Sequence, residues 1–158
     1  MINLDRLEKL ESKSSYNEPK KEDQKDWNPY GEIEILTKNK NKKIGAILSF
    51  LGITREIGKE DKKVSRIEMQ SYQIHANHVI KQICNEVKEK YSIELLYLYH
   101  FIGEFAIGEP IVFVIAGGRH RDETIKAVQE VIIRYKKEPA LWKKEVYIDG
   151  THEWLSGA

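Results

Sequence analysis

Three stretches of this chain carry side chains whose types and spacing could do chemistry. The first is Gly117–Asp122, GGRHRD. Its two glycines allow a ligand to approach the backbone closely, and a helix starting here would aim free N–H groups and its positive dipole end at an anion. Arg119, His120 and Arg121 add charge-assisted donors suited to phosphate. A lone GGR would be read as a tight turn with solvated arginines. Three cationic side chains at a helix start favour anion binding.

The second stretch is Lys136–Glu145, KKEPALWKKE. On one helix Lys136 and Lys143 would share a face, but Pro139 interrupts any such helix. The chain must fold back for the two amines to converge, with Trp142 available to wall an apolar pocket. A lysine becomes a useful base or nucleophile when burial or nearby cations lower its pKa. Lys143, Lys144 and the arginines above could supply that crowding. Read alone, the segment is equally a charged helix end followed by an exposed strand. The third stretch, Phe50–Glu56 (FLGITRE), takes a strand into a polar loop and sets Arg55 at the strand's carboxyl end, where ligand-binding residues gather. A surface salt bridge from Arg55 to Glu56 or Glu60 is the plainer reading.

Other chemistries find little support. His75 and His78 share a helix face but lack a third ligand for zinc. His100, among Tyr97, Tyr99 and Phe101, reads as a hydrogen-bonded core or interface histidine. Cys84 falls on an apolar helix face as inert packing. There is no nucleophile elbow and no P-loop. With 26 Lys+Arg against 25 Asp+Glu over 158 residues, no global basic field argues for nucleic acid. One cysteine excludes an internal disulfide and suits a reducing cytosol. Apolar runs such as Ile111–Ala116 are too short to span a bilayer, and the charged N-terminus does not resemble a signal peptide. The expectation is a cytoplasmic, single-domain protein without a membrane or nucleic-acid partner.

The elements that must position these stretches can be read from periodicity. Residues 1–28 are a polar appendage with a short helical pattern (Leu4, Leu7, Leu10), mobile or docked on a partner. The folded body is expected in residues 29–158. Gly31–Leu36 and Ile44–Phe50 read as strands joined by the polar turn Thr37–Lys43, the second strand apolar on both faces and so buried. Val64–Ser71 alternates as a strand, and a helix follows from Gln73 to Tyr91. Ile93–Ile102 and Ile111–Ala116 are strands linked through Gly103, Gly108 and Pro110. Asp122 is expected to N-cap a helix that Pro139 ends. Trp142–Ile148 and a short strand near His152–Leu155, joined by Asp149–Gly150, close the chain. The fold class is α+β, with helices on one face of a mainly antiparallel sheet in the strand-helix-strand-strand-helix-strand order of a split βαβ sandwich.

The three stretches in this order resemble the large, catalytic subunit of molybdopterin synthase. The similarity runs through GAILSFLGITRE (Gly45–Glu56), IEMQSY (Ile67–Tyr72), HFIGEFAIGEPIVFVIAGGRHRDE (His100–Glu123) and the lysine segment ending in WKKE, covering roughly Gly45 to Trp154. The resemblance implies an alpha/beta-hammerhead type of fold. It implies a sulfurtransferase that moves sulfur from the thiocarboxylated Gly-Gly tail of a small ubiquitin-like subunit to cyclic pyranopterin monophosphate, making the dithiolene of molybdopterin. No permanently bound cofactor and no metal are implied. The partners would be that small subunit and a second copy of the chain, in a heterotetramer whose active site borrows residues across the homodimer.

The residues carried over are Lys136 and Lys143 as catalytic lysines, with Ile53, Thr54, Arg55, His120, Arg121, Lys144 and Glu145 as further substrate contacts. Phe50, Arg119 and Trp142 would support them. Lys143 is assigned acid–base work, Lys136 the partner's tail and the reacting pterin, and Glu145 the orientation of Lys143 or Lys144. Three features depart from the family pattern. A helix usual before the GA strand is expected to be shortened or missing, the N-terminal appendage has no counterpart, and Pro139 sits one place early. Two other functions compete: a non-catalytic phosphate- or nucleotide-binding regulatory module, and an RNA-binding sheet using TKNKNKK.

Overall fold

A computed structural model describes residues 2–3, 8–11, 26–38 and 41–155. In chain order the elements are β1 (Ile2–Asn3), β2 (Glu8–Glu11), β3 (Asp26–Trp27), α1 (Pro29–Thr37), β4 (Ala46–Ile53), β5 (Val64–Ser71), α2 (Gln73–Lys90), β6 (Leu95–Ala106), β7 (Pro110–Gly118), α3 (Arg121–Tyr135), β8 (Leu141–Tyr147) and β9 (His152–Leu155). From Val64 onward this is the expected α+β order of strand, helix, strand, strand, helix, strand.

The main sheet runs β4-β7-β6-β5-β8-β9, with β2 added on β6, and every pairing is antiparallel. β6 organises it. Residues Leu95–His100 pair with β7, while the opposite edge takes β2 at Tyr99–Ile102 and then β5 at Gly103–Ala106. Gly103, at φ 134°, stands where β6 passes from β2 to β5, a conformation that side-chain-bearing residues rarely adopt. It was expected in a connection and lies instead inside the strand. The helices pack on β4, β6 and β7 through apolar stripes: Ala76, Ile80, Ile83, Cys84 and Val87 of α2, and Ala127, Val128, Val131 and Tyr135 of α3. Tyr99, Phe101, Phe105 and Phe113 are fully buried in the core, each contributing roughly 1.5–3 kcal/mol on burial.

The structure corrects several expectations. Gly31–Leu36 is not a strand but the body of α1. Asn28 Oδ1 accepts the Tyr30 N–H at 3.1 Å and Pro29 occupies the first helical turn, so a capped start outweighs the strand-like alternation. The helix before the GA strand is therefore present. The segment after it joins a helix to a strand, with residues 39–40 outside the described set. β4 is a half-buried strand at the end of the sheet path rather than a buried one, and it extends to Ile53. The N-cap of α3 is His120, two residues earlier than the expected Asp122. Asp122 and Glu123 lie in the first turn, where the helix dipole favours them. Within the N-terminal appendage, Glu8–Glu11 pairs with the protein's own β6. Leu10 of the proposed helical pattern belongs to that strand, and Leu4 and Leu7 lie outside the described residues.

Candidate active site

A cleft of about 400 Å³ opens where β4 ends. Three local features build it. First, β4 delivers Phe50 through Ile53 and then Thr54 and Arg55 to one wall. Thr54 is buried, its hydroxyl donating to the Ala106 carbonyl at 2.6 Å and accepting the Glu109 N–H at 3.0 Å. That pair of bonds ties the end of β4 to the β6–β7 turn, and it fixes where Arg55 leaves the strand. Thr54 acts as an anchor rather than an open ligand group.

Second, α3 stops at Tyr135, with Lys136 as its C-cap, and Pro139 is buried in the link to β8. Proline disfavours helical backbone at the residue before it, so the chain turns back towards the sheet. The fold-back required by the two lysines is thereby met: Lys136 and Lys143 line the same cleft. Third, strand alternation sorts β8. Lys143, Glu145 and Tyr147 lie on one face, and in register Lys143 faces Met69 and Glu145 faces Ile67 of β5. Ile67 and Met69 accordingly give the cleft an apolar floor between the charged walls.

Glu145 is 3 % exposed, and its Oε1 lies 3.5 Å from Lys143 Nζ. A carboxylate buried this deeply needs partners for both oxygens. Oε2 accepts the Lys59 backbone N–H at 3.2 Å and faces the Tyr147 hydroxyl at 3.4 Å. Burial, reinforced by Glu145 and Glu153, pushes the Tyr147 phenol up to about 12, so it stays a protonated donor.

His100 also lines the cleft, a position that its sequence context as a core residue did not disclose. It is buried, with Nδ1 3.1 Å from the Phe101 carbonyl and its ring edge-on to Tyr135 at 5.7 Å. Since a carbonyl only accepts, Nδ1 carries the proton in this contact. Burial pushes its pKa down to about 4, so it is neutral under ordinary conditions. The sheet register, which sets His100 against Val112 of the cleft wall, is the signal that would have found it.

Of the expected site residues, Phe50, Ile53, Thr54, Arg55, Lys136, Lys143 and Glu145 come together. Five do not. Lys144 and Trp142 point to the other face of β8. Lys144 pairs with Glu68 and lies over the Trp154 ring at 5.5 Å, so Glu145 orients Lys143 and not Lys144. Trp142 is half-exposed and walls no part of the cleft. Arg119 is engaged by Glu94 at 3.0 Å, holding the Glu94 carboxyl below its ordinary range. His120 and Arg121 begin α3, whose far end carries Lys136. Fifteen residues at 1.5 Å each put about 22 Å between the two ends. One chain therefore separates its helix-start cations from its lysine cleft.

The profile of the MoaE protein family matches residues 25–138, most of the chain. The chain belongs to the MoaE family. Among relatives, this MoaE-family chain is 36% identical over 114 residues to the molybdopterin synthase catalytic subunit of Synechococcus elongatus, covering 72% of this chain and 68% of the relative. It is 32% identical over 127 residues to the catalytic subunit of Bacillus subtilis, covering 80% of each. Against the longer Emericella nidulans and rat catalytic subunits it spans only 56% and 54% of their length. The crystal structure of molybdopterin synthase from Staphylococcus aureus superposes with a TM-score of 0.68 at 30% identity, covering 73% of this chain and 82% of that one. Among the described residues, no helix of the MoaE-family chain is long and apolar enough to cross a membrane.

Proposed function

We propose that this MoaE-family chain is the catalytic large subunit of a molybdopterin synthase. It takes sulfur from the thiocarboxylated C-terminus of a small ubiquitin-like subunit and places it on cyclic pyranopterin monophosphate, forming the molybdopterin dithiolene. The observation that carries this reading is the convergence of Lys136, Lys143 and Arg55 on one cleft with an apolar floor. Ile67, Met69 and Val112 suit a flat pterin ring, and the cations suit its phosphate and the partner's carboxyl terminus. Lys143, held by Glu145, moves protons, and Lys136, exposed at the end of α3, meets the tail and the reacting pterin. The sulfur comes from the partner, so the buried Cys84 needs no part in the chemistry. No permanently bound cofactor is required. The reaction is assigned to the cytoplasm and to residues 29–158.

His120 and Arg121 enter through a second copy. Arg121, Ile125, Gln129, Ile132 and Lys136 follow one another at helical spacing along one face of α3. A two-fold axis that brings one copy's Arg121 to the other's Lys136 must do the reverse as well, so the two α3 helices run antiparallel across it. The strip between the helix ends is apolar and open. Ile125 and Ile133 are about half exposed, beside Leu48 and Phe50 of β4. Such a dimer closes this groove and completes each cleft with the partner's helix start.

The deciding experiment incubates the chain with a matched thiocarboxylated small subunit and cyclic pyranopterin monophosphate, then assays molybdopterin. Product formed by the wild-type chain, and lost in Lys136→Ala and Lys143→Ala, is the expected result. Full activity in both variants would overturn the assignment.

A further inference from the structure

Glu145 has a neighbour of its own sign. In the β8–β9 register Glu153 stands directly opposite it. Like charges directly opposite on adjacent strands repel, so this pair needs a reason to persist. Lys59 supplies it. Its ammonium pairs with Glu153 at 2.7 Å, while its backbone N–H donates to Glu145 Oε2 at 3.2 Å. The Tyr147 hydroxyl lies between the two carboxylates, 3.4 Å from Glu145 and 3.3 Å from Glu153. The Lys59 hydrogen bond holds the Glu153 carboxyl below its ordinary range. Gly58 makes the approach possible, since a Cβ there would lie 2.3 Å from Glu145 Oε2.

The two oxygens of Glu145 are thus divided. Oε2 is fixed by Lys59 and Tyr147, which leaves Oε1 for Lys143. We infer that Lys59, Tyr147 and Glu153 form a positioning array for the Glu145–Lys143 pair: Lys59 neutralises Glu153, so among the described residues Glu145 is the one uncompensated anion that Lys143 meets, beside Arg55, Lys136 and the neutral His100 of the same cleft. None of the three lines the cleft, so they act through Glu145. This inference rests on Lys143 being the acid–base group of the proposed reaction.

The sign of the effect follows from charge. Removing the Lys59 ammonium leaves Glu153 uncompensated beside Glu145, and added negative charge favours protonated Lys143. The test is a pH titration of the lysine Cε resonances of the full-length chain, with Lys143 assigned by its loss in Lys143→Arg. Lys59→Met is expected to raise the Lys143 midpoint by several tenths of a pH unit. Adding Glu153→Gln to Lys59→Met should return it to the wild-type value. Tyr147→Phe, which keeps the ring and loses the donor, should also raise it. The limb of the single-turnover pH profile should move by the same amount with KM unchanged, which a general loss of packing would not produce.

An unchanged Lys143 midpoint in Lys59→Met and Tyr147→Phe overturns the array, as does a Lys59→Met shift that Glu153→Gln fails to reverse. The titration reads the resting protein. A wild-type chain that makes no molybdopterin would sink the proposed function without touching this result.

Discussion

Lys143 and Glu145 sit two residues apart on one face of β8, with Nζ 3.5 Å from Oε1, and the carboxylate is the more deeply buried of the two. At rest the pair is a held ammonium beside a fixed anion. In the proposed reaction, proton transfer at Lys143 would take place against a charge that does not move away, the arrangement that electrostatic preorganisation requires.

Glu145→Gln keeps the shape and removes the charge. It is expected to lower the single-turnover rate of sulfur transfer by about 10- to 100-fold, because it loosens Lys143 without deleting it. Lys143→Ala should cost more in rate, about 100-fold or beyond. It should also cost about 1–2 kcal/mol of stability by leaving a buried carboxylate short of one partner. Rapid-quench kinetics and urea denaturation of the two variants check both statements.

The separation of Arg121 from Lys136 along α3 makes a prediction about mixed oligomers. Arg121→Ala and Lys136→Ala should each be nearly inactive alone. Subunits mixed by co-expression should recover about a quarter of wild-type activity, because half the dimers are hybrids and each hybrid holds one intact site. Recovery of nothing, measured on dimers purified with two different tags, would place the whole site within one chain.

His100 gives a stability prediction with a defined sign. Its folded pKa is about 4, against 6.5 as the ordinary value. As pH falls from about 6.5 the unfolded chain gains a proton that the folded chain refuses until about pH 4. The stability due to neutral His100 is complete above this window and lost within it, on the order of 3 kcal/mol in all. Urea midpoints at pH 7 and pH 4.5 should therefore differ less in His100→Phe than in the wild type.

Gly58→Ala should separate stability from activity. The added methyl would meet Glu145 Oε2 at 2.3 Å and Val64 Cγ2 at 2.7 Å. Glu145 Oε2 is held by Lys59 and Tyr147, and Val64 is a buried, β-branched side chain, so neither yields freely and the expected loss of stability is about 1–3 kcal/mol. Displacing Glu145 disturbs Lys143 directly, and the rate should fall more than the melting temperature suggests. Thermal melts beside single-turnover rates give the comparison.

Much of this was legible in the residues. Val64–Ser71 and the amphipathic stripes of α2 and α3 follow from spacing alone, because each buries one face against the same layer. α1 was misread because Ile33 and Ile35 alternate like a strand, while the Asn28–Pro29 cap before them carried the decisive information. The site was legible in its parts but not in its partition. Lys136, Lys143 and Arg55 converge through long-range pairing that no local pattern encodes. Trp142 and Lys144 were misplaced because strand alternation turns every second side chain of WKKE away from the cleft. His100 was hidden by its own burial, which makes a wall residue read as core.

The length of α3 has a consequence for what sequence change the protein can tolerate. Under the antiparallel arrangement the helix is a gauge, with Arg121 at one end calibrated against Lys136 at the other end of its mate. One inserted residue would turn the ends relative to each other by about 100° and slide them by about 1.5 Å. Surface turns such as residues 41–43 can lengthen or shorten with little effect on the cleft. A single codon gained or lost between Arg121 and Lys136 would put both sites of the dimer out of alignment at once.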